Sequence, residues 1–170
     1  AEKKLQEEKD QKKTEQIHKI ALKTWREATL DVDRATYLSN RLKDYNVPLN
    51  DSLRYSKSVY YKDEDVTGSF PALLAKITNS KGEFTGLQRI YLNDEMSLKR
   101  DIAQNKKIIG NLGNGFVNLV DSEEADSVVI GEGIETVLSL YLILERDETI
   151  DVSRTAVYAN LSATNIPELP

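Results

Sequence analysis

A glutamate between two glycines is the residue of this sequence whose placement best suits chemistry. Glu132 follows Gly131 and precedes Gly133, and two glycines allow the backbone to turn sharply and display the carboxylate. A displayed carboxylate can accept a proton or bind a divalent cation, whereas it would repel a phosphate. Thr136 stands where a dinucleotide-binding fingerprint requires its third glycine, and the chain has no P-loop motif. The sequence therefore predicts a metal-assisted site at Glu132, with Gly131 and Gly133 as its structural turn.

The segments on either side of this turn predict a strand–helix–strand unit that would position it. Residues 127–130 are rich in β-branched side chains and predict a short buried strand, and residues 155–159 predict a second strand. The helical pattern between them has one apolar face, formed by Ile134, Val137, Leu138, Tyr141, Leu142 and Leu144. Glu135 falls in the first helical turn, where the helix dipole favours an acid. Such a unit is expected to be right-handed, with parallel strands.

Two polar residues are expected at the same edge of the sheet as Glu132. Asn160 and Ser162 follow the second strand, and ligands of open α/β sheets bind beyond the carboxyl ends of the strands. Both side chains would line the same crevice as Glu132 if the two strands are neighbours. The alternative is that they are ordinary cap and turn residues.

The middle of the chain predicts a small antiparallel sheet. Residues 72–78 and 83–92 alternate between apolar and polar side chains, and the polar residues 79–82 end in glycine, so this region predicts a hairpin. Residues 107–109 and 115–120 are two further candidate strands. Their short, glycine-containing connections favour antiparallel pairing, because parallel strands need long crossovers.

The beginning of the chain is predicted to be helical. Residues 1–16 carry five Lys and five acidic side chains with almost no apolar face, which is typical of a solvated helix or a linker. A helical apolar stripe that could pack on the body follows, formed by Ile17, Ile20, Ala21, Trp25 and Ala28. A second helix is predicted to begin after a capping Asp31 or Asp33 and to end at Pro48. Its apolar side chains are Tyr37, Leu38, Leu42 and Tyr45.

Basic residues could bring a nucleic acid to the site. Arg89 shares a strand face with apolar residues, so it either pairs with an acid inside the fold or reaches a phosphate near the glutamate turn. Lys106 and Lys107, with Lys99 and Arg100 before them, form either a nucleic-acid strip or an ordinary solvated loop. Both interpretations stay open for each group.

Composition excludes several kinds of site within this chain. It has 170 residues, no cysteine and one histidine, His18, which is expected to be an exposed helix residue. Disulfides, thiolate metal sites and His-pair metal sites are therefore excluded, and the lack of cysteine agrees with a reducing, cytoplasmic compartment. A net charge of −5 means that only a local basic patch would attract nucleic acid. No apolar run approaches the roughly 18 residues that a membrane span requires.

One motif resembles a known catalytic module. Residues 129–138, Val-Ile-Gly-Glu-Gly-Ile-Glu-Thr-Val-Leu, resemble the glutamate motif of Toprim domains, which bacterial-type primases and topoisomerases share. The Gly-Glu-Gly-Ile-Glu-Thr form resembles that of primase-like proteins of phages, plasmids and integrative elements. Five further segments are similar to the same subgroup: residues 37–41, 53–55, 70–75, 86–92 and 106–110.

This resemblance implies a fold and a division of the chain. We expect a charged N-terminal helix or linker over residues 1–28 and an α+β domain with a small antiparallel sheet over residues 29–121. Residues 122–170 would be the N-terminal half of a Toprim domain, a partial Rossmann-like α/β unit. Toprim domains continue after the glutamate motif with a strand that carries a metal-binding Asp-x-Asp pair, and this sequence is expected to end before that strand. The chain is therefore expected to be a truncated fragment that binds magnesium weakly or not at all.

The resemblance also implies a function for the intact protein. Glu132 would be the catalytic glutamate and a ligand of Mg²⁺ or Mn²⁺ in a DNA primase or primase–helicase of a mobile genetic element. The reaction would be nucleotidyl transfer from nucleoside triphosphates on single-stranded DNA during DNA replication. The residues expected to help bind these substrates are Arg89, Lys106, Lys107, Asn160 and Ser162.

Partners and alternatives follow from the same resemblance. Helicase or zinc-binding domains of the same polypeptide are expected partners, and a membrane is not. One alternative function is strand cleavage, as in Toprim nucleases and topoisomerases. The other is a non-catalytic module that binds nucleic acid or a protein partner in a replication or conjugative transfer complex.

Overall fold

A computed structural model describes residues 2–29, 36–42, 47–148 and 150–164. These residues form three helices, α1 (Glu2–Glu27), α2 (Tyr37–Arg41) and α3 (Ile134–Arg146), and a short 3₁₀ turn at Val152–Arg154. The seven strands are β1 (Leu53–Lys62), β2 (Thr67–Thr78), β3 (Phe84–Tyr91), β4 (Lys106–Gly110), β5 (Val117–Val120), β6 (Ser127–Gly131) and β7 (Thr155–Ala159). Among the described helices, none combines the length and the apolar character needed to cross a membrane. Asp31, Asp33 and Tyr45, for which a cap and a helix were predicted, lie outside the described residues.

The first sheet contains β1, β2, β3 and β4 in that order, and every neighbouring pair is antiparallel. The predicted hairpin is confirmed as β2 and β3, and Gly82 in its turn has a φ of +75°. One face of the sheet is covered by the C-terminal half of α1, where Ala21 and Trp25 pack against Tyr61 and Leu74. An antiparallel sheet can fold from local hairpins in this way because its connections are short.

The predicted stripe of α1 is only partly correct. Ala21, Trp25 and Ala28 are buried as expected, but Ile20 is 48% exposed, because the helix covers the sheet with a narrower face than the sequence pattern suggested. His18 is half-buried rather than exposed, since its ring packs edge-on against Phe84 at 5.5 Å between centroids. Side chains 3–16 are exposed, so this part of the chain is a solvated helix.

The second sheet has the order β5–β7–β6, with β6 and β7 parallel and β5 antiparallel to β7. The predicted strand–helix–strand unit is therefore present as β6, α3 and β7. β6 was expected to be buried, but only Val129 is, whereas Val128 is 52% and Ile130 44% exposed. The reason is its position at the edge of the sheet, where its second face has no covering helix among the described residues.

β5 belongs to the second sheet, although its sequence predicted a place in the small antiparallel sheet. A single antiparallel bridge between Thr78 and Phe116 connects the end of β2 to the residue before β5. The two sheets share one apolar core, in which Leu73 and Ile90 of the first sheet lie with Val157 and Leu138 of the second unit. The fold is therefore of the α+β class, as predicted, and the shared core fixes the two sheets relative to each other.

The close approach of β4 to β3 at Gly110, within the first sheet, can be tested by substitution. Gly110 has a φ of +97°, and a Cβ atom there would lie 2.7 Å from both Gly86 Cα and Thr85 O. We expect Gly110→Ala to lower the free energy of unfolding by about 2 kcal/mol. Gly82→Ala is the matched control, because Gly82 also has positive φ but has open space around it, and should cost about 1 kcal/mol. Urea denaturation measures both; equal losses would contradict the close approach at Gly110.

Candidate functional site

The Glu132 turn lies between the end of β6 and the start of α3. Gly133 caps the helix with extended dihedral angles and no side-chain capping bond, and Glu132 is exposed. A Cβ atom on Gly131 would meet Val137 Cγ1 at 3.0 Å, so a glycine allows the strand end to approach the helix closely. Among the described residues, no hydrogen bond or ion pair engages the Glu132 carboxylate. This acid is therefore available to an external group.

The end of β7 lies directly beside this turn. Asn160 N donates a hydrogen bond to Gly131 O at 2.9 Å, and Leu161 N donates to Glu132 O at 3.0 Å. Asn160 and Glu132 thus emerge at the same edge of the parallel pair, as expected for neighbouring strands. Ser162 Oγ is contacted by Thr164, whose N–H donates to it at 3.3 Å, which is typical of a turn residue.

The strongest electrostatic feature near the turn is Glu135, which is only 8% exposed. Its carboxylate accepts hydrogen bonds from Tyr37 Oη at 2.6 Å, Lys99 Nζ at 2.7 Å and Lys106 Nζ at 3.2 Å. Burial alone would raise the pKa of Glu135, but the bonds from Lys99 and Tyr37 prevail and lower that pKa to about 2. Burial and the same bond to Glu135 raise the pKa of Tyr37. We call Glu135, Tyr37, Lys99 and Lys106 the Glu135 cluster.

The Glu135 cluster adjoins the glycine turn and connects distant parts of the chain. A Cβ atom on Gly133 would lie 4.0 Å from Glu135 Oε2, the oxygen that Lys106 contacts. Lys99 comes from the loop between β3 and β4, Lys106 begins β4, and Tyr37 begins α2. Two ammonium groups face one carboxylate, so the cluster has a net charge of about +1 at neutral pH. Both lysine side chains remain partly exposed.

Sequence reasoning explained Glu135 by the helix dipole and missed this cluster. A usable signal was present, because Glu135 lies three and seven residues before Leu138 and Leu142 and therefore on the buried face of α3. A carboxylate on such a face needs partners, since unpaired buried charges are costly. The sequence did not indicate which residues those partners would be.

The other predicted basic residues make different contacts. Arg89 Nη1 donates to Tyr60 O at 3.3 Å, no acid contacts Arg89 among the described residues, and burial lowers its pKa. Lys107 Nζ donates to Lys62 O at 2.6 Å and lies over the ring of Tyr61. Of these three residues, only Lys106 contacts the carboxylate of Glu135, which lies beside the Glu132 turn.

The predicted strip of four basic residues is divided between separate environments. Lys99 and Lys106 contact Glu135, whereas Arg100 forms an ion pair with Asp94 at 2.8 Å and stacks over Phe70. Lys107 lies on the opposite face of β4 from Lys106, because side chains alternate along a strand. The four charges therefore do not form a single surface.

The residues at this edge do not by themselves fit a magnesium site. Within the described ranges, no three His, Cys, Asp or Glu side chains come together in a way that could hold a metal ion. Glu132 provides one free carboxylate, and the carboxylate of Glu135 is already engaged by two lysines. One carboxylate is too little to hold a strongly hydrated Mg²⁺.

Comparison with known proteins places the chain in a family. The chain belongs to the family described as a domain of unknown function (DUF7146), whose model matches residues 10–119. The matched part runs from α1 into β5 and stops before the Glu132 turn. Comparisons with curated proteins and with solved structures found no match.

Proposed function

We propose that this chain is part of a primase-like Toprim protein that transfers nucleotidyl groups on single-stranded DNA. The observation that carries the proposal is the exposed Glu132 carboxylate, displayed by Gly131 and Gly133 at the carboxyl edge of the parallel strands β6 and β7. This edge is where open α/β sheets bind ligands. The motif around Glu132 resembles the Toprim glutamate motif, which supplies the reaction class.

The residues of this chain suggest a division of work at the site. Glu132 is exposed and unengaged, so it can accept the proton of an attacking hydroxyl group. Lys99 and Lys106 give the adjoining surface a positive charge that attracts the phosphates of a nucleotide. Asn160 can orient a substrate at the same edge because its backbone is fixed to Gly131. Of this chain's described residues, only Glu132 would contribute a ligand to Mg²⁺ or Mn²⁺ in the intact protein, and such an ion would supply charge neutralisation.

The test is an assay of template-directed oligonucleotide synthesis by the full-length protein. The protein is supplied with single-stranded DNA, nucleoside triphosphates and Mg²⁺ or Mn²⁺, and labelled oligonucleotide products are separated on a gel. Products that need both template and metal would support the proposal. Shortening of the supplied DNA without synthesis would favour a strand-cleaving Toprim enzyme instead.

A binding module is the second candidate, and α1 favours it. Side chains 3–16 of this helix are exposed and include five Lys and four acidic residues, so they present a charged surface that does not pack on the sheets. If single-stranded DNA or a protein partner binds with no synthesis and no cleavage, the chain acts as such a module.

A further inference from the structure

A small polar cavity lies where the two sheets meet, away from the Glu132 turn. Its volume is about 160 Å³, and its lining includes Asn50, Asp51, Ser52, Lys76, Asn118 and Asp121. The first three residues precede β1, Lys76 lies in β2, and the last two come from β5 and the residue after it. Residues from both sheets therefore surround one cavity.

Two oxygen atoms in this lining lack a hydrogen-bond partner. Ser52 is 2% exposed, and no described group hydrogen-bonds its Oγ. The buried Oδ1 of Asn118 likewise has no hydrogen-bond partner among the described groups. A buried polar atom without a partner costs about 1–3 kcal/mol, so these two atoms are expected to be satisfied by bound water or by a ligand of the cavity.

The carboxylates of the cavity differ in how they are engaged. Asp51 Oδ1 forms an ion pair with Lys76 Nζ at 2.9 Å, which neutralises its charge. Asp121 accepts hydrogen bonds from two neutral amides, Asn50 Nδ2 at 3.1 Å and Asn118 Nδ2. No ammonium or guanidinium group among the described residues pairs with Asp121. Asp121 is exposed, and a carboxylate has about four lone-pair positions, so it retains positions for water or a further partner.

The charge and the polar atoms of the lining favour one class of ligand. An anion is excluded because Asp121 would repel it, and an apolar group would leave both orphan oxygens unsatisfied. A cation suits this lining, since hard divalent ions take carboxylate and amide oxygens as ligands, and a hydroxyl oxygen can join them. We propose that this cavity binds a hard divalent cation, with Asp121, Asn118 Oδ1 and Ser52 Oγ as ligands and water completing its shell.

Calcium suits the cavity better than magnesium. Ca²⁺ accepts six to eight oxygen ligands in flexible geometry, whereas Mg²⁺ demands a near-ideal octahedron. The cation would connect the segment before β1 to the end of β5 and so hold the two sheets together. This role is independent of Glu132 and of the proposed nucleotidyl transfer.

The test is calorimetric titration of the chain with Ca²⁺ and, separately, with Mg²⁺. We expect one saturable Ca²⁺ site with a Kd of about 10⁻⁴–10⁻³ M, weaker Mg²⁺ binding, and a higher Tm when Ca²⁺ is added. Asp121→Asn should weaken Ca²⁺ binding at least about tenfold and Ser52→Ala by a smaller factor. Lys76→Gln should strengthen it, because the substitution releases Asp51 as a further ligand.

A control variant and a folding check accompany this titration, and two results would refute the cation site. Asp101→Asn is the matched control, because Asp101 is an exposed acid in the loop between β3 and β4 and does not line the cavity, and it should leave Ca²⁺ binding unchanged. Circular dichroism establishes that Asp121→Asn is folded, and Ser52→Ala tests the same site if it is not. The proposal fails if no saturable binding occurs up to about 10 mM Ca²⁺, or if folded Asp121→Asn or Ser52→Ala binds as tightly as the original chain.

Discussion

Replacing Glu132 with Gln is expected to reduce the proposed template-directed nucleotidyl transfer by the full-length protein about 10²–10⁴-fold. The substitution keeps the size of the side chain but removes its ability to accept a proton. Because Glu132 is exposed and its carboxylate has no partner among the described residues, the free energy of unfolding should change by no more than about 0.5 kcal/mol. Loss of activity without loss of stability is what a catalytic carboxylate predicts.

Rates of synthesis and urea denaturation curves, measured on the same preparations, check this prediction. Glu123→Gln is the matched control, since Glu123 is an exposed acid in the loop before β6 and should keep full activity. A Glu132→Gln protein that synthesises at the original rate would remove the basis for assigning this residue a role in chemistry.

Replacing Glu135 with Ala is expected to lower the free energy of unfolding at neutral pH by about 3 kcal/mol. The substitution leaves Lys99, Lys106 and Tyr37 Oη without the carboxylate that all three contact. By contrast, Glu124→Ala removes a partner of Arg154 that is 83% exposed, so it should cost less than about 1 kcal/mol. Similar losses in the two variants, measured by urea denaturation, would contradict a structural role for the Glu135 cluster.

The same carboxylate makes stability depend on pH. The pKa of Glu135 is lowered from 4.5 in the unfolded chain to about 2 in the fold, which corresponds to about 3 kcal/mol. Because the folded pKa is the lower one, this stability is present above pH 4.5 and is lost as the pH falls towards 2. Glu135→Gln should therefore show a weaker loss of stability between these pH values than the original chain.

Several elements could be predicted because each is determined by residues that are close together in the sequence. The hairpin of β2 and β3 follows from alternation around a turn that ends in Gly82, and α3 follows from its apolar face. The exposure of β6 was not predictable in this way. A run of apolar residues looks the same in a central strand and in an edge strand, and only the order β5–β7–β6 distinguishes them.

For a related reason, the sequence predicted the Glu132 turn but not the contacts of Glu135. Glu132 could be found because its two neighbouring glycines mark the turn. The partners of Glu135 could not, since Tyr37, Lys99 and Lys106 come from three separate segments that meet only in the folded chain. Likewise, sequence reasoning assigned Arg89 and Lys107 the same expected role in substrate binding as Lys106. Side chains alternate between the two faces of β3 and β4, so Arg89 and Lys107 have other neighbours in the fold.

The bond between Tyr37 and Glu135 has a consequence for the order of folding. It joins residues that are 98 positions apart, whereas β1 to β4 pair only with strands adjacent in sequence. Closing a longer loop costs more chain entropy, so the four-stranded sheet can form before this bond does. Nascent chains would thus acquire a hairpin scaffold early, and the contact of Tyr37 with Glu135, beside the Glu132 turn, would form last.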